Sequence, residues 1–230
     1  MKILIIIPAF NEEMNILNVL GELDFYYSEL DYLVVNDCSE DATRAILLNK
    51  ETSFLDLPVN LGIGGGVQAG YMYALENDYD IAVQMDGDGQ HLPSEVSSII
   101  DPIVNGSADF VVGSRFVTNK GFQSSQLRRI GIYMLSKVLR LCVGIHIKDV
   151  TSGFRAVNRK GISLFSKEYA QDYPEPEALA VAALKGLKIK EVPVEMKERE
   201  GGISSISGVK SIYYMIKVSI ALAITRLQSK

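Results

Sequence analysis

With 47% hydrophobic and 22% charged residues over 230 positions, this chain has the make-up of one folded globular unit, not of a disordered segment. Its formal charge of −5, from 23 basic and 28 acidic residues, argues against a nucleic-acid binder. Two distant cysteines, Cys38 and Cys142, make no CxxC or Cys/His cluster, which argues against zinc and fits a reducing cytoplasm.

The chain opens on "MKILIIIPAFNEE". The apolar run is short and acidic residues follow at once, so a buried first strand over 2–7 is expected, not a signal peptide. Pro8 is expected to end it, and Asn11 to cap a helix over 12–23 with Met14, Leu17, Val19 and Leu20 as its apolar side. A second buried strand over 32–35 leads into the polar turn "NDCSEDAT" and a helix over 41–49. A short third strand is expected at 53–57, and "NLGIGGGVQAG" opens a helix that runs through "YMYALEN". A fourth strand over 80–84, a helix from Ser94 to about 104 and a fifth strand over 110–112 follow.

This alternation predicts an α/β fold, a mostly parallel sheet with helices on both faces. Ligands of such sheets bind beyond the carboxyl ends of the strands. The polar clusters at 8–13, 36–39 and 86–91 all fall at such ends, so three loops are expected to converge on one edge.

The second half is less regular. Residues 126–142 read as an amphipathic helix with Leu127, Ile130, Met134, Leu135, Val138 and Leu141 inward and Arg128, Arg129, Lys137 and Arg140 on the other side. "DVTSGFRAV" reads as a loop entering a short strand, followed by a helix over 176–186 and a strand over 188–192. From about 209 a last helix places Val209, Ile212, Tyr213, Ile216, Ile220, Ala223, Ile224 and Leu227 on one side, punctuated by Lys210, Lys217 and Arg226. It reads as an interfacial membrane helix, or else as a final helix packed on the domain or on a second copy. No stretch has the length of a confident transmembrane helix.

The chemistry concentrates in "QMDGDGQHLP". Two aspartates one residue apart repel unless a cation lies between them, and oxygen ligands suit Mg2+ or Mn2+. Such an ion, bound also by a diphosphate, would stabilise that leaving group; the plain alternative is an Asp/Gly turn. Asp37 either accepts hydrogen bonds from a nucleoside or caps the next helix. "NLGIGGGVQAG" lacks the Gly-Lys-Ser/Thr of a phosphate loop, and Val67 stands where a dinucleotide fingerprint has its third glycine. Arg115, the pair Arg128-Arg129, Arg155 and Arg199 are candidates for phosphate, which guanidinium forks match well. His91 adjoins the acidic loop and either touches metal or diphosphate or plays a structural part.

"IIPAFNEE", "VVNDCSEDAT", "NLGIGGGVQAG", "QMDGDGQHLP", "GSRF", "TSGFRAV" and "KEREGGISS" occur in an order and at spacings that resemble glycosyltransferase family 2. More narrowly they resemble its branch of dolichyl-phosphate mannose synthases and bacterial polyprenyl-phosphate glycosyltransferases, over residues 3 to about 205. The resemblance implies a Rossmann-like GT-A fold, a nucleotide-diphosphate sugar donor, Mg2+ or Mn2+, and inversion at the anomeric carbon.

Carried onto this chain, the resemblance puts Pro8, Phe10, Asn11 and Glu12 around the nucleotide, with Asp37, Asn60, Gly64, Gln68 and Gly87 also on the donor side. Asp86, Asp88 and Gln90 match the metal loop, with Asp88 foremost. Arg115, Arg128 and Arg129 match the hold on an acceptor lipid phosphate, with Ser114, Ser152 and Gly153 beside them. Arg199 and Ser204 match a segment that closes over the donor diphosphate. Phe10 stands where the family often has Tyr, Asn36 where it has a first aspartate, and Ser205 where a basic residue is common.

A lipid phosphate is already an anion, whereas a sugar hydroxyl needs a general base. "DYPEPEALA" supplies Asp172, Glu175 and Glu177 where hydroxyl-acceptor relatives carry that base, so both acceptors stay open, and Glu177 is the candidate catalytic carboxylate. The expected activity is transfer from a UDP-sugar to a polyprenyl phosphate by a protein peripheral at the cytoplasmic face of the cell membrane. The alternatives are transfer to a glycan hydroxyl and a nucleotide-sugar-binding scaffold without turnover. A catalytic unit over 1–205, a membrane-associating helix over 206–230, a small membrane-protein partner and a homo-oligomer complete the expectations.

Overall fold

The computed structural model describes residues 1–118, 120–123, 125–198 and 209–228. Strands β1 (Ile3–Ala9), β2 (Asp31–Asn36) and β3 (Phe54–Asp56) alternate with helices α1 (Ile16–Tyr26) and α2 (Thr43–Asn49). Helix α3 (Gly62–Glu76), β4 (Ile81–Gln84), α4 (Val96–Val104) and β5 (Phe110–Ser114) follow, and then the long helix α5 (Gln126–Val143). The chain continues through β6 (Arg155–Asn158), α6 (Arg159–Phe165), α7 (Pro174–Leu184) and β7 (Ile189–Pro193) to α8 (Val209–Gln228).

Among the described residues, seven strands form one sheet in the order β3-β2-β1-β4-β6-β5-β7. Only β6 runs against its neighbours β4 and β5. The centre is β1, whose unbroken apolar run is what a strand buried on both faces requires. Its side chains alternate: Leu4 and Ile6 enter the core under α3, α5, α7 and α8, while Ile5 and Ile7 enter the core under α1 and α4. Two hydrophobic layers thus lie on opposite faces of the sheet, as the strand and helix alternation predicts.

Two expectations about β1 and α1 need correction. Pro8 does not end the strand, which continues to Ala9. The Ile6 and Pro8 carbonyls both face the β4 side, where Met85 and Gly87 donate to them. A Pro8 N–H would also point there, beyond the last β4 residue, Gln84, so its absence breaks no ladder bond. Asn11 is not a helix cap: it adopts a left-handed φ of 56°, and α1 starts at Ile16. The buried side of α1 is Ile16, Val19, Leu20 and Leu23, leaving Met14 and Leu17 exposed.

Helix α5 is also rotated from its expected setting. Ile132, Leu135 and Leu139 are buried, whereas Ile130, Met134 and Leu141 point outward at 57%, 58% and 86% exposure. Apolar residues recur on two sides of this helix, and α8 packs along one of them. A Cβ on Gly131 would collide with the Met215 side chain, so the glycine sets this close approach. Helix α8 buries Val218 and Leu222 and exposes Ile216, Ile220, Ile224 and Leu227.

Candidate functional site

The chain builds β1, β2 and β3 outward on one side of the sheet, then returns to place β4 on the other side of β1. The crevice between β1 and β4 is therefore a topological switch point, where open α/β sheets bind ligands. The loops after β1, β2 and β4 meet there. The Asp37 N–H donates to the Ala9 carbonyl at 2.9 Å and the Gly87 N–H to the Pro8 carbonyl at 3.3 Å. The Asn11 N–H donates to Ser39 Oγ at 3.0 Å, and Asn11 Oδ1 accepts from the Glu40 N–H at 2.8 Å. The sequence-expected convergence of three loops is present.

On the donor side, Phe10 is 45% exposed at the rim. Glu12 is buried, its N–H donating to Thr43 Oγ1 and its carboxylate accepting from Asn15. Asp37 accepts from the Leu61 N–H at 2.7 Å, and its carbonyl accepts from the Asn60 side chain at 3.2 Å. Asp37 therefore ties the β2 loop to the start of α3. The neighbouring turn is held by Asp41, whose carboxylate accepts from the Thr43 and Glu13 N–H groups. Burial alone would raise the Asp41 pKa, but these hydrogen bonds prevail and lower it.

The glycine-rich segment packs against protein. A Cβ on Gly64 would strike the Ala170 carbonyl and the Gln171 backbone. Gln68 accepts from the Gln171 amide at 3.0 Å and donates to the Ser166 carbonyl at 3.4 Å. This docking fixes the segment that carries Asp172 and enters α7.

The acidic loop follows β4. Asp88 Oδ1 accepts from the Gln90 N–H at 3.0 Å, closing a tight turn. The Asp86 side chain is 32% exposed. Its carboxyl is pushed above the ordinary range, first by burial and then by the charge of Asp88, against the pull of His91 and Arg155. Burial is the larger cause and the repulsion from Asp88 the smaller, and a bound cation would offset both. Among the described residues no three His, Cys, Asp or Glu side chains surround one point. Two carboxylates with substrate phosphates are the usual holders of Mg2+, and the oxygen-only set of Asp86, Asp88 and the Gln90 amide fits such an ion.

Beside this loop lies the turn before β6. Gly153 faces Asp86 so closely that a Cβ would stand 2.6 Å from Oδ2. Ser152 is buried and its Oγ accepts from the Phe154 N–H at 3.3 Å. Arg155, a candidate phosphate ligand from sequence, is only 1% exposed and points into the protein. It donates to the carbonyls of Ser152 and Val150, and its Nη1 is buried with no hydrogen-bond partner among the described residues. It acts on the site as a buried positive charge.

Arg115 is 7% exposed and forked onto Asp149 at 2.7 and 2.8 Å. Asp149 also accepts from the Arg115 N–H, and its own N–H donates to Glu191 at 2.8 Å. Neither partner was visible from sequence, because both lie more than thirty residues away from what they hold. Arg115 and Arg129 approach the Phe116 ring at 5.3 and 5.7 Å, so two expected acceptor residues do converge. Arg128 is exposed at the start of α5, where its N–H is capped by Ser125 Oγ, and Ser114 is buried with Oγ accepting from the Phe116 N–H. Glu175 and Glu177 occupy the first turn of α7. Burial raises both pKa values, with Arg155 opposing at Glu175 and Asp172 adding at Glu177. Arg199 and Ser204 lie outside the described residues.

The family model for glycosyl transferase family 2 matches residues 4–165. The chain is 31% identical to the UDP-N-acetylglucosamine–dolichyl-phosphate N-acetylglucosaminyltransferase of Methanococcus voltae, covering 95% of this chain and 96% of the relative. It is 32% identical to the polyprenol monophosphomannose synthase of Mycolicibacterium smegmatis, covering 95% and 86%. It is also 32% identical to the undecaprenyl-phosphate mannosyltransferase of Micrococcus luteus, covering 90% and 88%. Glucosyl-3-phosphoglycerate synthase from Mycobacterium tuberculosis, solved with Mn2+, uridine diphosphate and glucosyl-3-phosphoglycerate, superposes with a TM-score of 0.71 at 20% identity over 98% of this chain and 79% of that one. The mostly parallel sheet is therefore a GT-A fold, and the chain belongs to glycosyl transferase family 2, in its polyprenyl-phosphate glycosyltransferase branch.

Proposed function

We propose that this glycosyltransferase moves a sugar from a UDP-sugar to a polyprenyl phosphate at a membrane surface, with inversion. The observation that carries the reading is the layout of α5. Its first turn bears Arg128 and Arg129, the latter sharing the Phe116 ring with Arg115, and its length bears an outward apolar face. A phosphate head and an apolar tail call for these two features on one element. The printed activities of the relatives, on dolichyl, polyprenol and undecaprenyl phosphates, support the same acceptor class.

The exposed residues of α5 (Ile130, Tyr133, Met134, Leu141) and of its packed neighbour α8 (Ile216, Ile220, Ile224, Leu227) supply an apolar surface. Lys137, Arg140, Lys217 and Arg226 are exposed on the same two helices of an otherwise acidic protein. Apolar burial plus basic residues is the make-up of a peripheral attachment to anionic lipid. No helix of the described residues is long and apolar enough to cross a membrane.

In this reading Asp86, Asp88 and Gln90 would hold Mg2+ or Mn2+, which supplies charge neutralisation of the departing diphosphate. Phe10, Asn11, Glu12 and Asp37 border the nucleotide, and Arg115, Arg128 and Arg129 orient the acceptor phosphate. A phosphate nucleophile needs no proton removed, so Glu177 orients the sugar.

A second reading has a specific observation in its favour. Glu177 is half-buried with a raised pKa, as a general base for a sugar hydroxyl would be. Glu177→Gln separates the two: under the lipid-phosphate reading kcat falls by less than about tenfold, and under the hydroxyl reading by 10²-fold or more, roughly the span of general-base catalysis. Slow hydrolysis of labelled UDP- and GDP-sugars in the absence of acceptor would identify the donor, and a clear preference for GDP-sugars would overturn the UDP assignment.

A further inference from the structure

His91, beside the acidic loop, is only 5% exposed. Its two ring nitrogens meet the same residue. The Asp86 N–H donates to Nδ1 at 3.0 Å, which places the ring proton on Nε2, and Nε2 lies 3.7 Å from Asp86 Oδ2. The ring stacks on the buried Phe154 at 5.0 Å and 16°. Phe154 follows Gly153, whose missing side chain makes room for the Asp86 carboxylate. The backbone of His91 bridges to Met196, and the adjacent Gln90 carbonyl accepts from the Lys197 N–H at 2.9 Å.

One imidazole therefore touches both ends of Asp86 and is itself clamped from two other segments. A histidine that merely fills the core has no need to face both the amide and the carboxylate of a single loop residue. The loop needs such a clamp, because Gly87 and Gly89 give its backbone freedom and Gly89 takes a φ of 77°. An aspartate that wanders must lose that freedom when it binds an ion, and groups that hold a ligand in place raise affinity by removing the cost.

We propose that His91 is a positioning residue that presets Asp86 for a divalent cation, with Phe154 setting the plane of its ring. The inference rests on the reading that Asp86 and Asp88 hold the ion. It adds that ion affinity depends on a side chain that does not ligate.

The test is a Mn2+ titration of the purified protein followed by electron paramagnetic resonance, with and without UDP, alongside thermal melting. Asp88→Ala is the control for the ion site and should lose Mn2+ binding. His91→Leu keeps similar volume against Phe154 but offers Asp86 nothing; it should weaken Mn2+ binding at least about tenfold. His91→Asn restores an acceptor near the Nδ1 position and should bind within about threefold of the parent. A folded His91→Leu protein with parental Mn2+ affinity would overturn the inference while leaving the ion site intact. If the leucine variant does not fold, His91→Phe decides: it keeps a ring against Phe154 but offers Asp86 no acceptor, and parental Mn2+ affinity there overturns the inference. Parental Mn2+ binding by Asp88→Ala would remove the ion site and the inference together.

Discussion

At the residue scale the site is a set of charges held close to where they repel. Asp86 and Asp88 raise each other's cost, and Gly153 lets Asp86 sit against the β6 turn. Gly153→Ala should displace the carboxylate by roughly an ångström and lower turnover by about 10²-fold, with the melting temperature little changed. Steady-state kinetics beside a melting curve would check this; unchanged turnover would remove the close packing at Gly153 from the account. The Arg115 and Asp149 pair bears on stability as well as on the acceptor side of the site. Its side chains are 8% and 0% exposed, so Asp149→Ala leaves a buried cation unpaired and should cost about 3–5 kcal/mol in urea unfolding.

Glu175 gives a pH test at the same scale. Burial raises its folded pKa above the unfolded value, so the folded state holds the proton more tightly. Its contribution to stability is complete below the ordinary glutamate range and is lost as pH rises through the raised pKa. Glu175→Gln should therefore raise the melting temperature at neutral pH and leave it unchanged at the acid end. A gain that is equal at both pH values would contradict the assignment. Asp86, Asp88 and Asp37 could be placed in the loops at the sheet edge because each follows an apolar strand. Asp149 and Thr43 were not legible, because their importance lies in partners distant in sequence; Arg155 was picked out as a phosphate ligand and instead turns inward onto carbonyls of its own turn.

At the element scale the first half of the fold was readable from hydrophobic runs and the polar breaks after them. The failures have physical causes. Helix α5 carries apolar residues on two sides, so periodicity alone cannot choose which side faces the sheet. The choice is made by α8, which docks against Gly131 and buries one flank. In α8 the sequence groups Ile216, Ile220, Ile224 and Leu227 on one side, and that side is exposed. Its other side packs on the domain through Val218 and Leu222. Replacing Ile220 and Ile224 together by Glu should abolish flotation with anionic vesicles while leaving the fold intact. Undiminished flotation would sink the membrane role of this face.

At the scale of the whole molecule, alternation of strands and helices was enough to foresee a largely parallel sheet and three loops meeting at one edge. It was not enough to foresee β6 running backward between β4 and β5, because a four-residue strand leaves no directional mark in sequence. That reversal brings Ser152, Gly153 and Phe154 beside the acidic loop. The molecule thus joins an acidic loop at the sheet edge to an apolar flank on α5 and α8, with arginines between them. Under the proposed function, a donor diphosphate and a lipid phosphate would meet at that junction.

The most direct measurement is transfer of label from a UDP-sugar to undecaprenyl phosphate in detergent with Mn2+, read after organic extraction. The account predicts label in the organic phase that requires the metal and disappears with Asp88→Ala. Label that stays in the aqueous phase with every polyprenyl phosphate offered, while a glycan hydroxyl is glycosylated, would contradict it.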